Sequence, residues 1–229
     1  MQLIGVFDSG AGGLAALSEI RRMCPTADVC FFADYENAPY GTKTEAELIR
    51  LVSANITRLR DAGADKILMA CCTASTVYRH LPIDLRNVSI PIIDATANEA
   101  LLSTENGKIG VIATKATVES GAFKCSLTRH KNTARVWQIA AQSLVKDVEA
   151  GICDGKISAG QRDALFRMLL PLKKKGIDTI VLGCTHFAKL EREISRVLPG
   201  VRIINSARIG AKEILKQSSR RGCGKTLYL

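Results

Sequence analysis

Short apolar runs alternate with amphipathic stretches along the whole chain. The runs predict strands at Leu3–Phe7, Val29–Ala33, Lys66–Ala70, Ile90–Ile93, Lys108–Ala113, Arg135–Ile139, Thr179–Leu182 and Arg202–Ile204. Between them the period lengthens to that of a helix. Thr44–Asp61 opens on Thr44-Glu45-Ala46-Glu47, a capping box in which a hydroxyl and a carboxylate satisfy each other's backbone N–H groups. Leu48, Leu51, Val52, Ile56 and Leu59 then fall on one face. Ser158–Lys175 repeats the pattern with Leu165, Met168, Leu169 and Leu172 and stops at Gly176. Strands alternating with helices predict the α/β class, with mostly parallel sheets flanked by helices.

A repeat divides this pattern in two. Ile4-Gly5-Val6 opens the chain, and Ile109-Gly110-Val111 opens a second run of the same kind. Each is followed, at nearly the same distance, by an apolar strand that ends in a small residue and then cysteine and threonine. These are Met69-Ala70-Cys71-Cys72-Thr73 and Leu182-Gly183-Cys184-Thr185. The repeat predicts two pseudo-symmetric lobes, residues 1–94 plus 208–229 and residues 95–207. Ligands of open α/β sheets bind at the carboxyl ends of strands, so an active site is expected in the cleft between the lobes, with one thiol on each wall.

Composition removes several alternatives. The chain is 47% hydrophobic and 24% charged, as a soluble globular protein is. It has neither a membrane-spanning apolar run nor the charged start and apolar core of an export signal, so a cytoplasmic protein is expected. The eight cysteines (24, 30, 71, 72, 125, 153, 184 and 223) then read as reduced thiols. They contain no CxxC pair, and with three histidines no metal site is expected. The net charge of +10 raises nucleic acid as a partner. Yet the basic residues are dispersed, the densest groups being Lys173-Lys174-Lys175 and Arg220-Arg221, and aromatics for base stacking make up 5%. A solvated basic surface is the expectation, with no nucleic-acid partner.

The chemistry concentrates in a few segments. Cys71 and Cys184 each stand where a strand gives way to a helix, so backbone N–H groups are placed to stabilise a thiolate. A lone cysteine there reads as a small core residue; two at matching turns of a repeated unit read as a pair of acid/base groups facing one substrate. Phe7-Asp8-Ser9-Gly10-Ala11-Gly12-Gly13 is a poor dinucleotide loop, because Asp8 would set a carboxylate near a pyrophosphate. Asp8 suits an ammonium group or a nearby thiol, or else caps a turn. Tyr40 and Gly41, in Asn37-Ala38-Pro39-Tyr40-Gly41-Thr42, lie on a turn at a strand's carboxyl end. His186 reads as an acid/base assistant or as a helix cap, and taken alone the cap is favoured.

Together these segments resemble the aspartate/glutamate racemase superfamily, and the glutamate racemases in particular. The resemblance rests on Gly5-Val6-Phe7-Asp8-Ser9-Gly10, Pro39-Tyr40-Gly41, Ala70-Cys71-Cys72-Thr73-Ala74-Ser75, Gly110-Val111-Ile112-Ala113-Thr114 with Thr117-Val118, Val148-Glu149-Ala150-Gly151, and Gly183-Cys184-Thr185-His186. It implies a cofactor-independent isomerase that converts L-glutamate to D-glutamate for peptidoglycan, and so serves cell-wall biogenesis and cell shape. It implies Cys71 and Cys184 as the two bases, with Asp8, Ser9, Tyr40, Gly41, Cys72, Thr73, Thr185 and His186 against the substrate. Glu149 and Thr117 assist, the partner is a small amino acid, and a homodimer is the assembly it suggests.

The chain departs from that family's pattern in places. Cys72 stands for an asparagine, Ala141-Gln142 for Cys-Pro, Phe187-Ala188-Lys189 for Tyr-Pro-Leu, and Asn205-Ser206 for Asp-Ser. A thiol replaces a two-donor amide poorly, so these changes bear on substrate affinity and specificity. Two alternatives stand beside glutamate racemisation. One is an aspartate or other amino-acid racemase of the same superfamily. The other is a catalytically weakened protein whose basic surface binds nucleic acid or protein.

Overall fold

The computed structural model describes residues 2–130, 133–149, 157–218 and 222–229. Ala150 and Gly151 of one motif, Cys153 and the Arg220-Arg221 pair lie outside the described residues. The first half runs β1 (Leu3–Asp8), α1 (Gly13–Met23), β2 (Asp28–Ala33), α2 (Glu45–Asp61), β3 (Lys66–Met69), α3 (Cys72–Ser75), α4 (Ile83–Val88), β4 (Ser89–Pro91) and α5 (Ile92–Ser103). The second runs β5 (Lys108–Ala113), α6 (Lys115–Glu119), α7 (Ala122–His130), β6 (Arg135–Ala140), α8 (Gln142–Glu149), α9 (Ala159–Lys174), β7 (Thr179–Gly183), α10 (Glu191–Val197), β8 (Arg202–Asn205), α11 (Ser206–Lys216) and β9 (Thr226–Tyr228).

One sheet has the order β4-β3-β1-β2-β9 and the other β6-β5-β7-β8, with every pairing between described strands parallel. Matching β1–β4 to β5–β8 in sequence gives the same neighbour order in both sheets. The repeat seen in the chain is therefore a repeat of topology. Its central strands are buried almost throughout, because helices cover both faces of a parallel sheet.

Local signals act as expected. Thr44 Oγ1 accepts from the N–H of Glu47 at 3.3 Å, and a Glu47 carboxylate oxygen accepts from the N–H of Thr44 at 2.9 Å. The apolar face of α2 then packs on the first sheet. Ser158 and Gln161 form a second capping box at the start of α9. That helix ends at Gly176, whose φ of +66° favours a residue without a Cβ.

Most strand ends fall within one residue of the expectation, and two elements differ by more. The apolar run Ile90–Ile93 is not one strand. β4 ends at Pro91, and Ile92 and Ile93 begin the buried face of α5 with Ala97 and Ala100. Periodicity cannot assign a four-residue apolar run, and the pairing edge of β3 accommodates only its first half. The strand β9 was not expected, because Thr226–Tyr228 is too short to show a period. Its place comes from long-range contacts: Tyr228 packs edge-on against Phe31 with ring centroids 5.8 Å apart, and Arg21 donates to the carbonyl of Lys225 at 2.6 Å. No helix among the described residues is long and apolar enough to cross a membrane.

Gly5 and Gly110 occupy equivalent positions on the central strands. A Cβ at Gly5 would stand 2.8 Å from Ile67 Cγ1, and one at Gly110 would stand 2.7 Å from Ile177 Cδ1. Gly5→Ala and Gly110→Ala are each expected to lower stability by about 1–3 kcal/mol through overpacking. Gly160→Ala meets open space within α9 and should be neutral or stabilising by up to about 1 kcal/mol. Urea unfolding midpoints of the three variants check this; equal effects would mean that the two glycines are not set by close packing.

Candidate active site

The carboxyl ends of β1 and β3 in one sheet and of β5 and β7 in the other converge on a cleft. Its walls include Ser9, Tyr40, Gly41, Cys71, Cys72, Thr73, Thr114, Gln142, Glu149, Cys184, Thr185 and His186. The free volume inside is about 20 Å³, little more than one water needs. An amino acid enters only if the walls part.

Cys71 follows β3 and caps α3. Its Sγ accepts from the N–H of Ala74 at 3.4 Å, and its S–H donates to Ser9 Oγ at 3.4 Å. Cys184 follows β7 and precedes a 3-10 turn over Thr185–Leu190, with Sγ 3.6 Å from His186 Nδ1. The two thiols thus reach the cleft from matching strand ends of the two lobes. The expectation that helix N-termini would favour their thiolates is not met. Burial pushes the Cys71 thiol up to about 11, with the nearby Asp8 charge adding to the rise. Burial likewise pushes Cys184 and Cys72 well above the ordinary thiol range. α3 is four residues long, and the backbone N–H contacts from Ala74 and Ser9 do not offset complete desolvation.

Asp8 lies beneath the cleft rather than on its wall and is fully buried. It accepts from the Gly10 N–H at 3.0 Å and from the Thr185 hydroxyl at 3.1 Å, which joins the end of β1 to the turn after β7. Of the sequence readings, the turn contact is present, and Asp8 also lies near the Cys71 thiol. Burial raises its carboxyl to about 6, against the opposing effect of nearby His186. Gly12 leaves the space that Thr185 and His186 fill, since a Cβ there would overlap both side chains. His186 Nε2 stands 3.2 Å from Glu149 Oε1, within ion-pair range but without a hydrogen bond.

Thr73, Thr114 and Thr117 form a triangle of hydroxyls across the lobes, with oxygen separations of 2.8, 3.0 and 2.8 Å. Thr117 takes part from behind and does not line the cleft. Tyr40 is held from below: its hydroxyl donates to Asp34 Oδ2 at 2.5 Å, and Asn55 Nδ2 donates to both Asp34 and Tyr40. Sequence reasoning missed Asn55, although a polar residue between Leu51 and Leu59 on the apolar face of α2 was a visible signal. It also missed Thr114 and Gln142 as cleft residues. Among the described residues no group of three His, Cys, Asp or Glu side chains is arranged to hold a metal ion. Lys173, Lys174 and Lys175 lie exposed at the C-terminal end of α9, where the helix dipole favours cations.

The model of the Asp/Glu/hydantoin racemase family matches residues 13–214. The chain belongs to that family. A glutamate racemase of Aquifex aeolicus is 36% identical over 226 residues, covering 96% of this chain and 85% of the relative. A glutamate racemase isoform from Bacillus anthracis superposes with a TM-score of 0.88 at 32% identity, covering 99% of this chain and 86% of that one. The Escherichia coli glutamate racemase, solved with L-glutamate and the activator UDP-MurNAc-Ala, gives a TM-score of 0.75 at 32% identity over 94% of this chain and 81% of that one. The family acts on amino acids as isomerases, and the two-lobed α/β fold is the one these structures share.

The raised carboxyl of Asp8 has a consequence for stability. Its value in the folded state lies above the ordinary carboxylate value of 3.8, so the native state holds the proton more tightly. The contribution is full below about pH 4 and is lost as pH rises through about 6. Asp8→Asn should remove this dependence, and the wild-type minus variant stability should fall by on the order of 2 kcal/mol between pH 4 and 7. Urea midpoints across that range check it; a difference that does not change with pH would refute the buried-carboxyl account.

Proposed function

We propose that this chain interconverts L- and D-glutamate by a cofactor-independent two-base mechanism, with Cys71 and Cys184 as the bases. The observation that carries the reading is the pair of thiols brought to one cleft from matching strand ends of opposite lobes. One thiolate takes the α-proton and becomes a thiol, leaving a carbanion at Cα. The thiol on the other wall gives its proton to the opposite face of Cα and becomes the thiolate, so each turnover exchanges their states. The high thiol values of the closed pocket suit this exchange. The substrate's ammonium brings positive charge into the dry cleft, and so lowers the cost of forming a thiolate.

Other residues take supporting parts. Ser9, Tyr40, Gly41, Cys72, Thr73, Thr185 and His186 contact the substrate, and Asp8 acts beneath it by holding Thr185. The hydroxyls of Thr73 and Thr114, backed by that of Thr117, offer donors to a substrate carboxylate, whose charge grows as Cα loses its proton. His186 assists Cys184, and Glu149 positions His186. Residues 1–94 with 208–229 and residues 95–207 would be the lobes that part to admit substrate, a division supported by the two sheets. The reading carries with it D-glutamate for peptidoglycan, a role in cell-wall construction and cell shape, and a place in the cytoplasm.

In deuterium oxide, L-glutamate should lose its α-proton signal and its optical rotation, whereas L-aspartate should keep both. Cys71→Ser and Cys184→Ser should each lower racemisation by roughly 10²–10⁴-fold. Because the thiols sit above neutrality in the free protein, kcat/KM should rise about tenfold per pH unit from pH 7 towards 9. Turnover of aspartate instead would change the substrate, and full activity in both serine variants would end the two-thiol reading.

A further inference from the structure

The departure at Gln142 places an amide where it has chemistry to do. Gln142 is the first residue of α8, on the second lobe, and its side chain lines the cleft. It crosses to the loop of the first lobe so closely that a Cβ at Gly41 would overlap Oε1. Oε1 is shielded from solvent and has no hydrogen-bond partner. A buried acceptor without a donor is costly, and in a ligand cleft the ligand supplies the donor.

Several other acceptors at the cleft already have partners. Ser9 Oγ accepts from Cys71, the three threonine hydroxyls serve one another, and the Glu149 carboxylate faces His186. Asp8 lies beneath, occupied by Gly10 and Thr185. Besides Oε1, one further solvent-shielded side-chain nitrogen or oxygen at the cleft lacks a hydrogen bond among the described residues, His186 Nε2, and it stands at Glu149. An α-amino acid brings one group rich in donors: its ammonium has three N–H bonds, while its carboxylates have none. Resting on the racemase reading, we propose that Gln142 is a specificity-determining residue whose Oε1 accepts a hydrogen bond from the substrate's α-ammonium group. It thereby fixes which end of the amino acid lies under the loop of Tyr40 and Gly41, and it makes the cleft select amino acids over dicarboxylates of the same length.

Calorimetric affinities for L-glutamate and for glutarate, the same dicarboxylate without the ammonium, separate the contributions. Gln142→Leu should weaken glutamate about 10- to 100-fold, the loss expected for one hydrogen bond to a charged group. It should leave glutarate within about twofold. Gln142→Glu keeps an acceptor and adds a charge, so it should bind glutamate at least as well as wild type and glutarate less well. Melting temperatures of both variants report folding. Equal weakening of glutamate and glutarate in Gln142→Leu, or weaker glutamate binding in Gln142→Glu, would overturn the assignment. Failure of wild type to bind glutamate and to exchange its α-proton would defeat the racemase reading itself, and this assignment with it. Exchange in wild type with unaltered affinities in the variants would defeat the assignment alone.

Discussion

The junction of the two lobes turns on a carboxylate removed from water. Asp8 ends the first strand and accepts the hydroxyl of Thr185, which begins the turn after β7. Neither group has solvent to fall back on, so each holds the other, and the strand ends that carry Cys71 and Cys184 are held with them. Gly12 and Gly13 are part of the same constraint. Side chains at these positions would overlap Thr185, His186 or Asp8, and the lobes could not approach as they do. Tyr40, on its own support of Asp34 and Asn55, completes the first lobe's wall against this fixed line.

The electrostatics of the cleft follow from its closure. With a free volume of about 20 Å³ there is almost no water to solvate an anion, and desolvation outweighs the backbone N–H groups directed at sulfur. In the proposed mechanism, a cation entering this pocket acts at low dielectric, where positive charge is worth more than in water. Positioning of the amino acid and activation of the thiols would then be a single event.

Much of the architecture was legible in the chain, for a physical reason. Strands buried on both faces appear as unbroken apolar runs, and the duplicated Gly-containing strands with cysteines at nearly equal offset exposed the pseudo-symmetry. The capping box at Thr44 and the stop at Gly176 were local, and local signals survive into the fold. What escaped depended on distant partners. β9 exists because β2 has a free edge and Phe31 receives Tyr228. Ile92 turns from strand to helix because β3 pairs no further. The direction of the thiol shifts depends on burial from all sides, which a strand-to-helix boundary does not reveal. Asn55 stood visibly among apolar neighbours, but its partners Asp34 and Tyr40 come from another segment, and Gln142 was read as a departure from a pattern rather than as a polar atom in a dry place.

The first sheet is assembled from both ends of the described chain. Ala207, Ala211, Ile214 and Leu215 of α11 fill the same core as Ile4, Val6, Ala16 and Leu17, and β9 pairs beside β2. During synthesis from the N-terminus, the earliest strands therefore emerge with an uncovered apolar face and wait while the entire second lobe is translated. The second lobe, contiguous in the chain, is the unit that can condense first. The first sheet is completed only by α11 and β9, so the wall that carries Cys71 depends on segments that follow the strand carrying Cys184.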